Sequence, residues 1–296
     1  MSAIPESSLG AACALLSAGT WAVISLLVRR LAGTFNSATV NAIRATAGGA
    51  LLLAWVLATA GTAPFRGITA YDLLLLTSSV ILAGCLGDTV FFESTRFLGL
   101  ARAMTASMTY PLLAALLAAP LLGEPVTPAL LLGSVLTLGG LAIIVGTRQA
   151  DSGAPNRLWL GLGTATLASA AWAVSAIMLK PALSAVDSTT AQAIRLPVTG
   201  LVLLATPWAW GALGAVRTAA PDTGKILALL AALTAVSSVL FVMGIKHAGV
   251  GVATVLSATS PMFAIPLGAL YLGERMTVTA ALGTALTVAG IAVLNL

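Results

Sequence analysis

An all-α membrane protein with ten transmembrane helices, arranged as two inverted five-helix repeats, is the fold class this sequence predicts. Three observations predict it: the composition, ten apolar runs of spanning length, and self-similarity at half the chain. Of 296 residues, 59% are hydrophobic and 8% are charged, and the mean hydropathy is +1.04. A soluble domain carries about 25% charged residues, and about a third of that does not keep a folded surface in solution. A soluble enzyme is thereby excluded. The net charge is +5 and the pI about 9.8, yet the 14 basic residues stand singly, with only Arg29 and Arg30 adjacent. No basic stripe exists for phosphates, so nucleic acid is excluded as a partner. Scattered charges of this kind belong to loops and helix ends beside a bilayer.

A helix that crosses the hydrocarbon core needs about 20 mostly apolar residues. Runs of that kind lie at 9–28, 38–60, 71–93, 99–121, 128–146, 158–180, 189–211, 224–245, 250–272 and 277–295. The N-terminus, Met1-Ser2-Ala3-Ile4-Pro5-Glu6, has no basic stretch ahead of the first run, which is therefore expected to be a permanent span. The longest break runs from Arg148 to Arg157, is polar, and falls at the midpoint.

Sliding the chain on itself explains that midpoint. At a shift of 151, Gly10 meets Gly161, Trp21-Ala22-Val23 meets Trp172-Ala173-Val174, and Ala42-Ile43-Arg44 meets Ala193-Ile194-Arg195. At a shift of 150, Phe91 meets Phe241, Gly99 meets Gly249, and Ser107, Thr109 and Pro111 meet Ser257, Thr259 and Pro261. Leu122-Gly123-Glu124 then meets Leu272-Gly273-Glu274, and Gly133 and Gly140 meet Gly283 and Gly290. Residues 1–150 and 151–296 are thus read as two repeats of five spans each. Five is odd, so the second repeat enters the membrane upside down, an arrangement found in many secondary transporters.

Two tandem five-helix halves, a Trp in the first helix of each, and Leu-Gly-Glu closing the fourth resemble the EamA family of the drug/metabolite transporter superfamily. The most specific part is the series Pro111, Gly123-Glu124, Gly133, Gly140 with its copy Pro261, Gly273-Glu274, Gly283, Gly290. The resemblance covers the whole chain. It implies a multi-pass carrier of small organic solutes, often an exporter of amino acids or related metabolites; a monomer in the cell (inner, cytoplasmic) membrane is expected, and the inverted repeat itself suits alternating access. The resemblance also implies that Trp21 and Trp172 face a central cavity and that both termini are cytoplasmic. Basic residues are more numerous in loops opposite the termini, so charge alone points the other way.

Several side chains are candidates to line that cavity. Met104, Ser107 and Pro111 fall on one helical face, and Thr254, Ser257 and Pro261 repeat it. Proline at mid-span breaks a backbone hydrogen bond, leaving a carbonyl to be satisfied by water or hydroxyls; alternatively the hydroxyls bond back to their own helix. Trp21 and Trp172 each offer an apolar face and one N–H donor, for solute or for packing. Asp88 lies near the end of the third span, with Glu93 and Arg96 at its mouth. A carboxylate at that depth either binds a substrate ammonium or a coupling proton, or pairs with an arginine. Arg44 and Arg195, each about six residues or roughly 9 Å into a span, either receive a substrate carboxylate or snorkel and anchor a gate. Gly133/Gly140 and Gly283/Gly290 suit close packing of spans five and ten, while Gly123-Glu124 and Gly273-Glu274 end one helix before the next. Thr127-Pro128 and Thr277 are expected to start spans five and ten.

Other chemistries lack their residues. The single histidine, His247, and the two cysteines, Cys13 and Cys85, have no ligand spacing, so no metal, disulfide or cofactor is expected. No phosphate-binding Gly-Lys loop occurs, which leaves a solute or proton gradient as the energy source. An intramembrane enzyme would need a second catalytic group beside Asp88, and a channel would need a filter.

Overall fold

The computed structural model describes residues 6–122, 128–146, 155–218, 220–273 and 277–293, and every regular element among them is helical. Helix α1 (Glu6–Leu31) is the first span and α2 (Ser37–Ala60) the second. The third is composite: α3 (Ala70–Val80), a π-helical segment (Ile81–Gly87) and α4 (Asp88–Leu98). The fourth is split into α5 (Leu100–Ser107) and α6 (Tyr110–Leu122), and α7 (Pro128–Gly146) is the fifth. The second half follows with α8 (Pro155–Ala182), α9 (Ser188–Leu204), the short α10 (Ala212–Arg217), α11 (Pro221–Ser257), α12 (Ser260–Leu272) and α13 (Val278–Val293).

The apolar stretch Pro221–Leu272 is 52 residues long. At 1.5 Å per residue it would measure about 78 Å, against a hydrocarbon core of about 30 Å. It therefore holds two spans, and it bends at Gly249, with φ 84° and ψ 164°. The equivalent Gly99 has φ 80° and ψ 168°, which breaks spans three and four apart in the same way. Only glycine adopts that backbone without strain.

The seventh span corrects one sequence expectation. The apolar run reaches residue 211, but α9 stops at Leu204 and a 3₁₀ turn follows at Pro207–Ala209. Pro207 disfavours helical geometry at Thr206. The turn instead carries Trp208 and Trp210, both 70% exposed, and docks on α2, where Asn36 and Thr39 donate to the carbonyl of Trp208. Caps fix the starts of the second helix of each half. Asn36 accepts from the Thr39 amide at 2.7 Å, and Asp187 accepts from those of Thr189 and Thr190 at 3.0 Å. Gly123, Glu124, Thr127 and Glu274 lie outside the described residues. Gly273 ends α12 with φ 65°, and α13 begins just after Thr277.

The two-fold relation is visible in the packing. A Cβ placed on Gly49 of α2 would lie 2.6 Å from the backbone of Pro197 in α9, and one on Gly200 would lie 2.8 Å from Thr46. Residues 49 and 46 thus face 197 and 200, so these equivalent helices cross antiparallel. A Cβ on Gly140 would sit 2.5 Å from the Gly283 carbonyl, and one on Gly290 would sit 2.8 Å from that of Gly133. Here α7 and α13 run antiparallel at backbone contact, as small residues permit. Elsewhere α1 packs on α11 while α8 packs on α3 and α4, again exchanging the halves. Equivalent helices meeting antiparallel is the signature of an inverted repeat.

Candidate functional site

A cavity of about 160 Å³ lies where α1, α2, the π segment, α8, α9 and α11 converge. Its volume is about half the lower limit for drug-sized ligands. Its polar centre is a buried ion pair. Arg44, 3% exposed, donates from Nη2 to Asp88 Oδ2, and Asp88 is 17% exposed. The other carboxylate oxygen accepts from Trp172 Nε1 at 2.9 Å. Arg44 Nη1 reaches Thr234 Oγ1 at 3.4 Å, and the guanidinium lies 4.8 Å from the Phe92 ring centre and 5.5 Å from that of Trp21. Cation–π contacts strengthen when water is excluded, so the aromatic faces help to replace the hydration that Arg44 has lost.

The backbone presents Asp88 at the end of the π segment. A π turn widens the helix and leaves a carbonyl without its usual donor. Here the Gly84 carbonyl accepts from Asn41 Nδ2 at 2.7 Å, and the same amide nitrogen reaches Thr89 Oγ1 at 2.7 Å. Asn41 is fully buried on α2, one turn from Arg44. A Cβ on Gly87 would lie 2.7 Å from Trp172 Nε1. The glycine thus gives the indole its approach to Asp88.

Around the pair stands an aromatic cluster. Trp21 and Trp172 meet edge to face at 5.8 Å, Phe91 lies 5.4 Å from Trp172, and Tyr110 lies 6.1 Å from it. Tyr110 and Ser257 share a hydrogen bond of 2.5 Å, joining the broken fourth span to the ninth. In the second half Arg195, 5% exposed, donates to Gln192 Oε1 at 3.0 Å and to Ser175 Oγ at 3.4 Å. Among the described residues it has no carboxylate within salt-bridge distance. Trp21 Nε1, Arg44 Nε and Arg195 Nε are buried donors without a protein acceptor.

Of the residues singled out in sequence, Trp21, Trp172, Asp88, Arg44, Arg195 and Ser257 line this cavity. Neither arginine snorkels to an interface. Met104, Ser107 and Thr254 do not line it, which corrects the expectation of one continuous helical face. Ser107 bonds back to Ala103 O at 2.8 Å, Thr254 bonds back to Gly251 O at 3.0 Å, and Met104 is wholly buried in the core. These three precede the break and turn to their own helix or the core; the break after Ser107 and Ser257 re-phases only the half-helices that follow it. Pro111 and Pro261 each sit second in α6 and α12, a position that lacks an intrahelical donor in any case. The break brings Met108, Tyr110 and Ser260 to the cavity instead, and sequence periodicity cannot follow a helix across such a break. Gln192 was also missed, although it lies one turn before Arg195, where a side-chain partner is reachable.

Glu93 is outside the cavity lining. It accepts from Ser37 Oγ at 2.7 Å and from Arg96 at 3.3 Å. Among the described residues no group of three His, Cys, Asp or Glu converges as a metal site.

Comparison with known proteins supplies the family. The model of the EamA-like transporter family matches twice, over residues 8–146 and 159–296. An uncharacterised protein of Pseudomonas aeruginosa is 36% identical over 140 residues, a match spanning 47% of this chain and 46%, about half, of that protein. An uncharacterised transporter of Archaeoglobus fulgidus is 26% identical over 204 residues, 69% of each chain. A crystal structure 19% identical in sequence superposes with a TM-score of 0.69 over 98% of this chain and 96% of that one, a likeness of fold.

Proposed function

The chain belongs to the EamA-like transporter family of the drug/metabolite transporter superfamily, and from that premise we propose that it is a secondary carrier, an exporter, of small, partly apolar organic metabolites such as amino acids and the acids derived from them. The observation that carries this reading is the central cavity of about 160 Å³, with an ion pair and an aromatic cluster in its wall. The volume admits a metabolite of amino-acid size, the indole faces suit an apolar side chain, and the unsatisfied N–H groups suit a carboxylate.

Two inverted repeats, residues 1–150 and 151–296, provide alternating access by exchanging conformations about the fixed site. The half-helices α5 and α6, with their equivalents, the segment of α11 beyond Gly249 and α12, are the moving parts, since Gly99 and Gly249 join them to the preceding spans. Trp21, Trp172, Arg44, Arg195 and Ser257 contact the solute, and Asp88 holds the cavity's polar order. Proton coupling would pass through Asp88, the carboxylate of the cavity lining. The chain works as a monomer in the cell membrane.

Proteoliposomes with the purified protein test the reading. Uptake of labelled amino acids or their acid derivatives is expected to saturate and to be competed by unlabelled solute. Flux restricted to inorganic ions or to sugar phosphates would overturn it.

A further inference from the structure

The repeat relation gives Arg44, Asp88 and Trp172 the counterparts Arg195, Ser238 and Trp21. In the first set a carboxylate joins a guanidinium to an indole N–H. In the second, a serine stands where the carboxylate would be, and its hydroxyl donates to Ala235 O at 3.0 Å. Trp21 Nε1, the counterpart of the indole nitrogen that bonds Asp88, is buried with no acceptor, as is Arg195 Nε, while Arg195 Nη2, the counterpart of the Arg44 nitrogen that bonds Asp88, has only a hydroxyl, Ser175 Oγ, at 3.4 Å. Arg195, Ser238 and Trp21 all line the same cavity. The chain has built one half of a symmetric pair of carboxylate sites and left the other empty of its carboxylate.

Charge decides what fits there. Arg44 and Asp88 pair in direct contact, whereas the hydrogen-bond partners of Arg195, Gln192 and Ser175, are neutral and Asp88 acts on it only at a distance. A buried charge without a counter-charge is costly, and an anion bound beside it gains from the low dielectric. We infer that, within the carrier proposed above, the solute's own carboxylate takes the place of the missing side chain, lying against Arg195 and Trp21 Nε1 beside Ser238, and that the solute is an organic monoanion rather than a zwitterion. An α-ammonium would restore the net positive charge of the cavity. Its natural partner, Asp88, already has both oxygens engaged by Arg44 and Trp172.

The test compares three solutes of one shape on the purified full-length protein in detergent: 4-methylpentanoate, leucine and 4-methylpentanamide. Binding is read by calorimetry and by the thermal shift of the protein. The monoanion is expected to bind at least about tenfold more tightly than leucine or the amide, a difference of about 1.4 kcal/mol. Ser238→Asp installs the missing carboxylate internally. It is expected to raise the melting temperature of the unliganded protein and to abolish the shift caused by 4-methylpentanoate. Arg195→Gln, which removes the lone charge, is expected to lose the same shift while remaining monodisperse. Equal binding of leucine or the amide, undiminished binding of the monoanion by either variant, or no binding of any of the three overturns the inference. If the monoanion binds in this pattern but is not exchanged by proteoliposomes, the anion site stands and the carrier reading falls.

Discussion

Replacing Asp88 by Asn removes the anion between Arg44 and Trp172 but leaves a carbonyl oxygen able to accept one of their hydrogen bonds. Breaking a buried ion pair typically costs about 3–5 kcal/mol because the remaining charge is stranded, and the residual acceptor should place this variant near the lower end. Net transport is expected to fall at least about tenfold, the range that misplaced positioning groups typically lose. If Asp88 carries the coupling proton, solute exchange in proteoliposomes is spared more than net flux, a comparison made across pH 5.5 to 8 on the scale of ordinary titrations. Wild-type rates in both assays would remove Asp88 from the mechanism. Asn41→Ala addresses the same carboxylate through the backbone. It strands the Gly84 carbonyl, and loss of one such buried hydrogen bond costs about 1–3 kcal/mol. The expected result is a lower melting temperature together with a reduced transport rate, while Asn41→Asp, which cannot donate to Gly84, does not rescue either. At this scale the sequence was informative where chemistry is unusual: Asp88, Arg44 and Arg195 are conspicuous because charge inside a span is costly. Asn41 was illegible because nothing in its neighbours announces the π turn it satisfies. Gly84 and Gly87 mark that turn, but glycine is too frequent in this chain to be a signal by itself.

Ser107 and Thr254 bond back to their own helices and Met104 packs in the core, and the helix breaks that follow them end the face on which periodicity places Pro111 and Pro261. Periodicity assumes one helix, and α5 ends at Ser107 while α6 starts at Tyr110, so the angular register is reset. The prolines advertised a discontinuity, but its consequence for which side chains turn inward depends on backbone angles that composition does not encode. Gly99 and Gly249 hold those angles at positive φ. Gly249→Ala is expected to cost about 1–2 kcal/mol through left-handed strain alone, and to slow transport more than it weakens solute binding. Equal transport by wild type and variant would show that this joint does not move. The start of α9 supplies a pH-dependent check on the fold. Partial burial pushes the Asp187 carboxyl up, but hydrogen bonds from Thr190 and Thr189 and the charge of Lys246 outweigh it and hold it below its ordinary value. A carboxyl lowered in the folded state stabilises above its unfolded pKa of about 3.9 and loses that stabilisation as pH falls through the folded value. Asp187→Ala should therefore lower stability by about 1 kcal/mol at neutral pH, and the gap from wild type should narrow below pH of about 4. A gap that widens on acidification would refute the assigned sign.

Across the whole molecule, the repeat was the most legible feature. Trp and Arg recur at an offset of 151 and Pro and Gly at 150, and five spans per half force the inversion without any coordinates. The antiparallel crossings of α2 with α9 and of α7 with α13 then give that symmetry its physical form. Gly140 and Gly290 are outside the cavity lining and at backbone contact with the opposite helix. Gly140→Leu should therefore impair folding and expression rather than solute affinity. The departure from symmetry was legible in part, since Asp88 falls opposite the uncharged Ser238 at a shift of 150; that Asp88 pairs with Arg44 and leaves Arg195 with neutral hydrogen-bond partners was not. In the proposed reading, that departure is what fits the cavity to receive a solute. The central claim, that this cavity carries solute across the membrane by alternating access, is tested most directly by counterflow. Proteoliposomes loaded with unlabelled solute are diluted into a trace of the labelled compound. A carrier predicts a transient accumulation of label above its external concentration, lost in Arg195→Gln. Label that only equilibrates, at a rate indifferent to internal solute, would contradict the account and indicate a passive pore.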